Sequence, residues 1–176
     1  MKSINKLYII RHPETEWNKK RRLQGHKDSS LTIKGKNTAK KMGLELKDKN
    51  IEKIYSSDLG RCIQTSEIIS RILKVKIVKS KELRERNFGD FNGLPDKIVN
   101  QKMDRNRFNL KCPNGESFNN MKKRVLKFLK NLPKNKNLLI VTHDGCVRAI
   151  LSEIYDLNPL DKKASIKQNQ IVELNN

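Results

Sequence analysis

Apolar residues in this chain are gathered into short runs, the longest being Leu7-Tyr8-Ile9-Ile10 and Leu138-Leu139-Ile140-Val141. Between the runs lie stretches whose apolar positions recur every three or four residues. Runs of this length suit strands covered on both faces, and the longer period suits helices packed on one side. Strands are expected at Lys6 to Ile10, Ile51 to Tyr55, Val75 to Val78, Leu138 to Val141 and Ile171 to Leu174. One helix opens after Leu31-Thr32, with Thr32 as N-cap and Ala39, Met42, Gly43 and Leu46 on one face. A second follows the Ser56-Ser57-Asp58 turn to about Leu73, and a weak one runs from Pro95 into Asp104. A third follows Gly115-Glu116-Ser117, with Phe118, Met121, Val125, Phe128 and Leu129 on one side, and a fourth runs from about Cys146 to Tyr155. Strands that alternate with helices imply an α/β fold with a mainly parallel sheet. With 176 residues and no internal repeat or linker, a single domain over 1–176 is expected.

Charge narrows the function classes. Lys and Arg total 39 against 19 Asp and Glu, a formal net charge of +20. Such a balance fits a nucleic-acid binder, a membrane-surface protein or a handler of small anions. The lysines are scattered rather than blocked, and the five Phe, three Tyr and one Trp form no evident stacking platform, so nucleic acid is the weaker reading. A bilayer-spanning helix needs about 20 apolar residues and none is present, so no membrane partner is expected. Met1 to Ile10 lacks the sustained apolar core of a secretory signal. Cys62, Cys112 and Cys146 have neither disulfide nor zinc-knuckle spacing, which fits a reduced, cytoplasmic setting with no metal and no cofactor.

Ligands of open α/β sheets bind beyond the carboxyl ends of the strands. There the chain places Arg11 and His12, Ser56, Ser57 and Arg61, Arg84 and Glu85, and Thr142 and His143. Arginines grip phosphate oxygens in pairs, a neutral imidazole can attack phosphorus, and a carboxylic acid can protonate the departing oxygen. His12 is thus the candidate nucleophile, Glu85 the candidate acid, and Arg11 and Arg61, with Arg84 or Arg86, the candidate phosphate grips. His26, in a polar loop, reads as a solvent-exposed side chain. P-loop, nucleophile-elbow, dinucleotide-binding and zincin patterns are absent.

Arg11-His12-Pro13-Glu14-Thr15-Glu16-Trp17-Asn18 resembles the signature of the histidine phosphatase superfamily, which includes cofactor-dependent phosphoglycerate mutases. The resemblance continues through Leu23-Gln24-Gly25 with Asp28, Tyr55-Ser56-Ser57 with Arg61, Leu83-Arg84-Glu85, Gly115-Glu116-Ser117, and Val141-Thr142-His143 with Gly145 and Arg148. It implies a three-layer α/β/α sandwich around a mixed sheet and catalysis without metal. It implies that His12 is phosphorylated, that Arg11, Arg61 and His143 hold the phosphoryl group, that Asn18 adds a hydrogen bond, and that Glu85 donates the proton. Gln24 and Gly25 match positions that border the substrate, and Gly145 lies in the last matching block.

Two residues depart from the family pattern. Pro13 replaces the usual glycine and keeps only a carbonyl to orient the imidazole. Asp144 stands where glycine is commoner; it is expected to cap the following helix or to meet Arg148 one turn on. Mutases of the family carry a longer insertion after the glutamate. Here only about 30 residues separate Glu85 from Gly115, and Arg86-Asn87-Phe88-Gly89 replaces a His-Tyr pair. A small cap within about 86–113 and hydrolysis of a small phosphorylated substrate are therefore expected. A phosphoglycerate mutase is the alternative, and a nucleic-acid-binding protein or an inactive relative are more remote ones.

Overall fold

The two longest apolar runs become neighbours at the centre of a sheet, and everything else is layered on them. A computed structural model describes residues 5–102 and 110–175. Its strands are β1 (Lys6–Arg11), β2 (Lys53–Ser57), β3 (Ile77–Ser80), β4 (Leu138–Thr142) and β5 (Ile171–Asn175), in the order β3-β2-β4-β1-β5. Four strands are parallel, and β5 pairs antiparallel with β1 at the edge, so the sheet is mixed.

Side chains alternate along each central strand, which explains why the runs are apolar throughout. Leu7 and Ile9 of β1 and Leu138 and Ile140 of β4 meet α5 (Phe118–Lys130) and α6 (Asp144–Ile154) through Met121, Val125, Val147 and Ile150. Tyr8, Ile10, Leu139 and Val141 face the other way onto α2 (Ile33–Glu45) and α3 (Gly60–Leu73) through Met42, Cys62 and Ile69. The result is the expected α/β/α sandwich. Among the described residues no helix is long and apolar enough to cross a membrane.

Element boundaries shift where polar residues carry structure. Strand β2 runs on through Ser56 and Ser57, which continue the ladder beside Val141 and Ser80 and are fully buried. Strand β3 begins at Ile77 rather than Val75. Lys74 ends α3 in the left-handed conformation, and Ser70 Oγ bonds the Val75 carbonyl at 2.6 Å, so Val75 still belongs to the turn. Thr32 caps α2 as expected, accepting from Gly35 N at 2.9 Å. A short helix α1 (Glu16–Lys19) interrupts the polar stretch after β1, closed by a reciprocal cap between Thr15 and Asn18. Helix α4 (Asp96–Lys102) follows Pro95; the expected continuation to Asp104 lies outside the described residues. Val99 of α4, with Cys112, Leu23, Phe88, Phe91 and Leu94, forms a small apolar cluster of its own. That cluster and the bonds Leu23 N to Leu94 O (2.9 Å) and Gly93 N to Leu23 O (2.7 Å) tie the segment after Glu85 to the loop before His26.

Truncating the central layer should be costly where truncating the surface is not. Leu139→Ala should lose about 3 kcal/mol in urea unfolding, while Leu44→Ala, on the exposed side of α2, should stay within about 0.5 kcal/mol. Equal losses would contradict the layer assignment.

Candidate active site

His12 follows β1 directly, and its backbone N–H still pairs with Thr142 O of β4 at 2.9 Å. The ring is buried, and Nδ1–H donates to the Pro13 carbonyl at 2.9 Å. The proline substitution thus leaves the orienting acceptor in place. With the proton held on Nδ1, the Nε2 lone pair is free to accept, and Arg61 Nε donates to it at 3.2 Å. Burial, reinforced by the charges of Arg61 and Arg11, holds the His12 imidazole well below the ordinary histidine range.

Arg61 occupies the first turn of α3, and its side chain is only 1% exposed. Nη2 donates to Gly25 O at 2.8 Å, and Nη1 to Lys27 O and Asp28 Oδ1 at 3.0 Å each. Asp28 also accepts from the backbone N–H groups of Gly60 and Arg61, so one carboxylate caps α3 and fixes the guanidinium it presents. Gly25 has φ of +51°, and a Cβ there would overlap the Asn92 side chain, so only glycine lets this carbonyl reach Arg61.

Arg11 lies at the end of β1, with Nη1 3.1 Å from Asp144 Oδ1 and a buried Nε that has no partner. A buried unpaired donor costs about 1–3 kcal/mol unless a ligand or water meets it. Across the site, Glu85 Oε1 accepts from Arg86 N (2.8 Å) and Oε2 from Gly145 N (3.2 Å). A Cβ on residue 145 would collide with Glu85 Oε1, which accounts for Gly145. Burial raises the Glu85 carboxyl above the usual carboxylate range despite those two donors. The His143 ring packs edge-on against His12 at 5.2 Å, with Nε2 2.8 Å from Ser57 Oγ. Burial, then Arg61, His12 and Arg11, keep it well below the ordinary histidine range. Arg11, His12, Asn18, Gln24, Gly25, Arg61, Glu85, Arg86, Asp144 and Gly145 all line one cavity of about 350 Å³; His143, expected to hold the phosphoryl group, is fully buried against the His12 ring and does not line it.

A buried neutral imidazole flanked by guanidiniums and opposed by a buried carboxyl is the arrangement of a phosphoryl-handling site. Comparison with known proteins agrees. The family model for the histidine phosphatase superfamily (branch 1) matches residues 7–174. The chain belongs to the histidine phosphatase superfamily. It is an enzyme of that superfamily, phosphatase or mutase. It is 34% identical over 161 residues to a probable phosphoglycerate mutase GpmB of Escherichia coli O1:K1, spanning 86% of this chain and 75% of that one. YhfR of Bacillus stearothermophilus shares the fold with a TM-score of 0.85 and 29% identity, over 96% of this chain and 90% of that one. A mycobacterial glucosyl-3-phosphoglycerate phosphatase, 21% identical, superposes with a TM-score of 0.80 over 96% of this chain and 89% of that one.

Not every candidate residue of this superfamily member lands where its sequence position suggests. Asn18 lines the cavity, but its Oδ1 accepts from Thr15 N (3.1 Å), Thr15 Oγ1 (3.0 Å) and Gln168 Nε2 (3.0 Å), which leaves Nδ2 as the group able to meet a ligand. Gln24 is buried and accepts from Ser29 Oγ at 3.2 Å. Arg84 is a correction. Its guanidinium is gripped bidentately by Asp58 (2.7 and 2.6 Å), which draws it off the site, and it does not line the cavity. Arg86 lines the cavity, yet its Nε bonds Glu116 O at 3.0 Å and its Nη2 bonds Leu110 O, so it secures the segment after Glu85. His26 is a second correction: it is half-buried, and Nε2–H donates to the Glu85 carbonyl at 2.9 Å. Asp144 does not cap α6, whose N-cap is His143 without a side-chain bond; it meets Arg148 Nε at 2.8 Å, as expected, and Arg11 as well.

A clamp that the sequence did not reveal holds the Glu85 loop from behind. Arg124 of α5 donates to Glu82 O (2.7 Å) and Glu85 O (2.9 Å) and pairs with Glu116, which accepts from Asn87 N at 2.8 Å. The signal for it, Glu116 and Arg124 eight residues apart, spans a loop and two helical turns and has no short-range pattern.

Imidazole nitrogen shifts test the electrostatics. At about pH 6, below the ordinary histidine value of about 6.5, His12 should remain neutral with the proton on Nδ1, and His143 should remain neutral too. Doubly protonated rings at that pH would contradict the site as described.

Proposed function

We propose that this chain is a metal-independent phosphomonoesterase that works through a phosphohistidine on His12. The observation that carries the reading is the fixed tautomer: Pro13 holds Nδ1–H, and Nε2 sits beside Arg61 in a cavity shared with Glu85. The Nε2 lone pair attacks phosphorus, and the P–O ester bond breaks. The electron pair leaves with the ester oxygen, which takes the proton of Glu85. Water then attacks the phosphorus of phospho-His12, forming a new O–P bond and giving a proton to the Glu85 carboxylate. The N–P bond breaks and inorganic phosphate departs. Arg11, Arg61 and the Asn18 amide bind the equatorial oxygens; His143, locked to Ser57, backs the nucleophile. No step calls on a metal.

Hydrolysis rather than mutase chemistry is supported by the short segment after Glu85. A mutase must keep its dephosphorylated intermediate from escaping and keep water from phosphohistidine. Only about 30 residues lie between Glu85 and Gly115, and those described among them include Arg86, α4 and their apolar cluster; the rest of the expected cap within about 86–113 lies outside the described residues, and the span is short for sealing a cavity. The substrate is a small phosphorylated alcohol, and the scattered lysines set a broad attractive field rather than a nucleic-acid footprint.

Phosphate release from aryl and alkyl phosphates in the presence of a chelator tests this. His12→Ala should fall to background. Glu85→Gln should lose about 100-fold or more on alkyl esters and far less on aryl esters, whose oxygen leaves unprotonated. Activity needs neutral His12 and protonated Glu85. The acid limb of kcat/KM should therefore lie well below pH 6.5, and the alkaline limb, set by Glu85, above the ordinary carboxylate value. Isomerisation of 3-phosphoglycerate with a bisphosphate primer faster than hydrolysis would establish the mutase instead.

A further inference from the structure

Asp144 puts a negative charge inside a site built for anions. Its carboxylate is not incidental, because three donors fix it: Arg11 Nη1 at 3.1 Å, Arg148 Nε at 2.8 Å and Ser165 Oγ at 2.5 Å. Burial opposes its ionisation, but Arg11, Ser165 and Arg148 outweigh that and hold the carboxyl below its usual range, so it is charged. It lines the same cavity as His12, Arg61 and Glu85. Arg11 Nε stays buried with no partner, so the ion pair orients Arg11 without using up its donors.

We propose that Asp144 is a positioning residue: it aligns Arg11 and offsets part of its charge, so that product phosphate is released rather than retained. This rests on the hydrolytic reading of the site. A phosphate dianion held by uncompensated Arg11 and Arg61 gains from both charges and leaves slowly. With Asp28 paired to Arg61 and Asp144 paired to Arg11, each guanidinium keeps its geometry while its excess charge is reduced. The bound dianion also meets the Asp144 charge directly.

A second consequence reaches Glu85. The groups around it are Arg61 of α3, Asp144 and Cys146 of α6, Arg124 of α5, the adjacent Arg86, and His26 on its carbonyl. The arginines favour the carboxylate, and the Cys146 thiol, pushed up to about 12, is uncharged. Asp144 is the negative charge among them and favours the protonated acid needed for the first step.

The test is calorimetric titration with inorganic phosphate of the wild type, Asp144→Asn and Asp144→Glu, with kcat/KM against pH for an aryl and an alkyl phosphate. Asp144→Asn should bind phosphate about fivefold more tightly, and the difference should shrink in high salt. Its alkaline limb should move to lower pH, a change that a merely structural role would not produce. Asp144→Glu should restore both. If the amide variant does not fold, Asp144→Gly, the residue common in the family pattern, takes its place. Phosphate affinity equal to or weaker than wild type in a folded variant overturns the proposal. A wild-type protein that hydrolyses no phosphomonoester overturns the hydrolytic reading instead, and the phosphate titrations still decide the electrostatic role of Asp144.

Discussion

The burial of one guanidinium organises this molecule's polar half. An arginine side chain removed from water is tolerated only when its donors are met. Arg61 has them met by Gly25 O, Lys27 O, Asp28 and His12 Nε2. All but His12 come from a loop that has no regular structure of its own. Residues 24–28 take their path because they must deliver two carbonyls and a carboxylate to the first turn of α3. The positive φ of Gly25, the cap on α3 and the orientation of the His12 lone pair all follow from satisfying that charge.

The same logic repeats on the other side of His12. Arg11 is paired with Asp144, and Glu85 is held by the backbone N–H groups of Arg86 and Gly145 and, through its carbonyl, by Arg124 and His26. Every group aimed at the cavity is thus set by a partner behind it, so little reorganisation is needed when a phosphoryl group enters. Low local polarity shifts His12 and Glu85 in opposite directions, His12 toward neutral base and Glu85 toward neutral acid, a pairing that suits proton delivery to a leaving group.

Much of this was legible in the chain itself. Apolar runs of four identified the central strands, and the rule that ligands sit at strand ends selected His12, Arg61, Glu85 and His143 before any geometry was known. The same rule misled at Arg84, because position after a strand does not say which way an extended side chain points; Asp58 took that arginine. Ser56 and Ser57 look like turn residues but complete β2, since a buried serine can bond locally, Ser56 Oγ to Ser57 O at 2.8 Å, and remain in a ladder. Asp28, Glu116 and Arg124 were invisible as partners because their contacts join segments 33, 30 and 39 residues apart, where no periodicity operates. The large lysine excess, which first suggested a polyanion, supplies no group to the cavity; its cations are arginines.

The central claim is that His12 Nε2 carries the phosphoryl group during turnover. Rapid quenching of the enzyme with a labelled phosphomonoester, followed by phosphorus NMR and peptide mapping under alkaline conditions, tests it directly. The account predicts an acid-labile phosphoramidate on Nε2 of His12 that forms and decays at rates compatible with turnover. Turnover with no phosphorylated residue, or with the label on any other side chain, would contradict it.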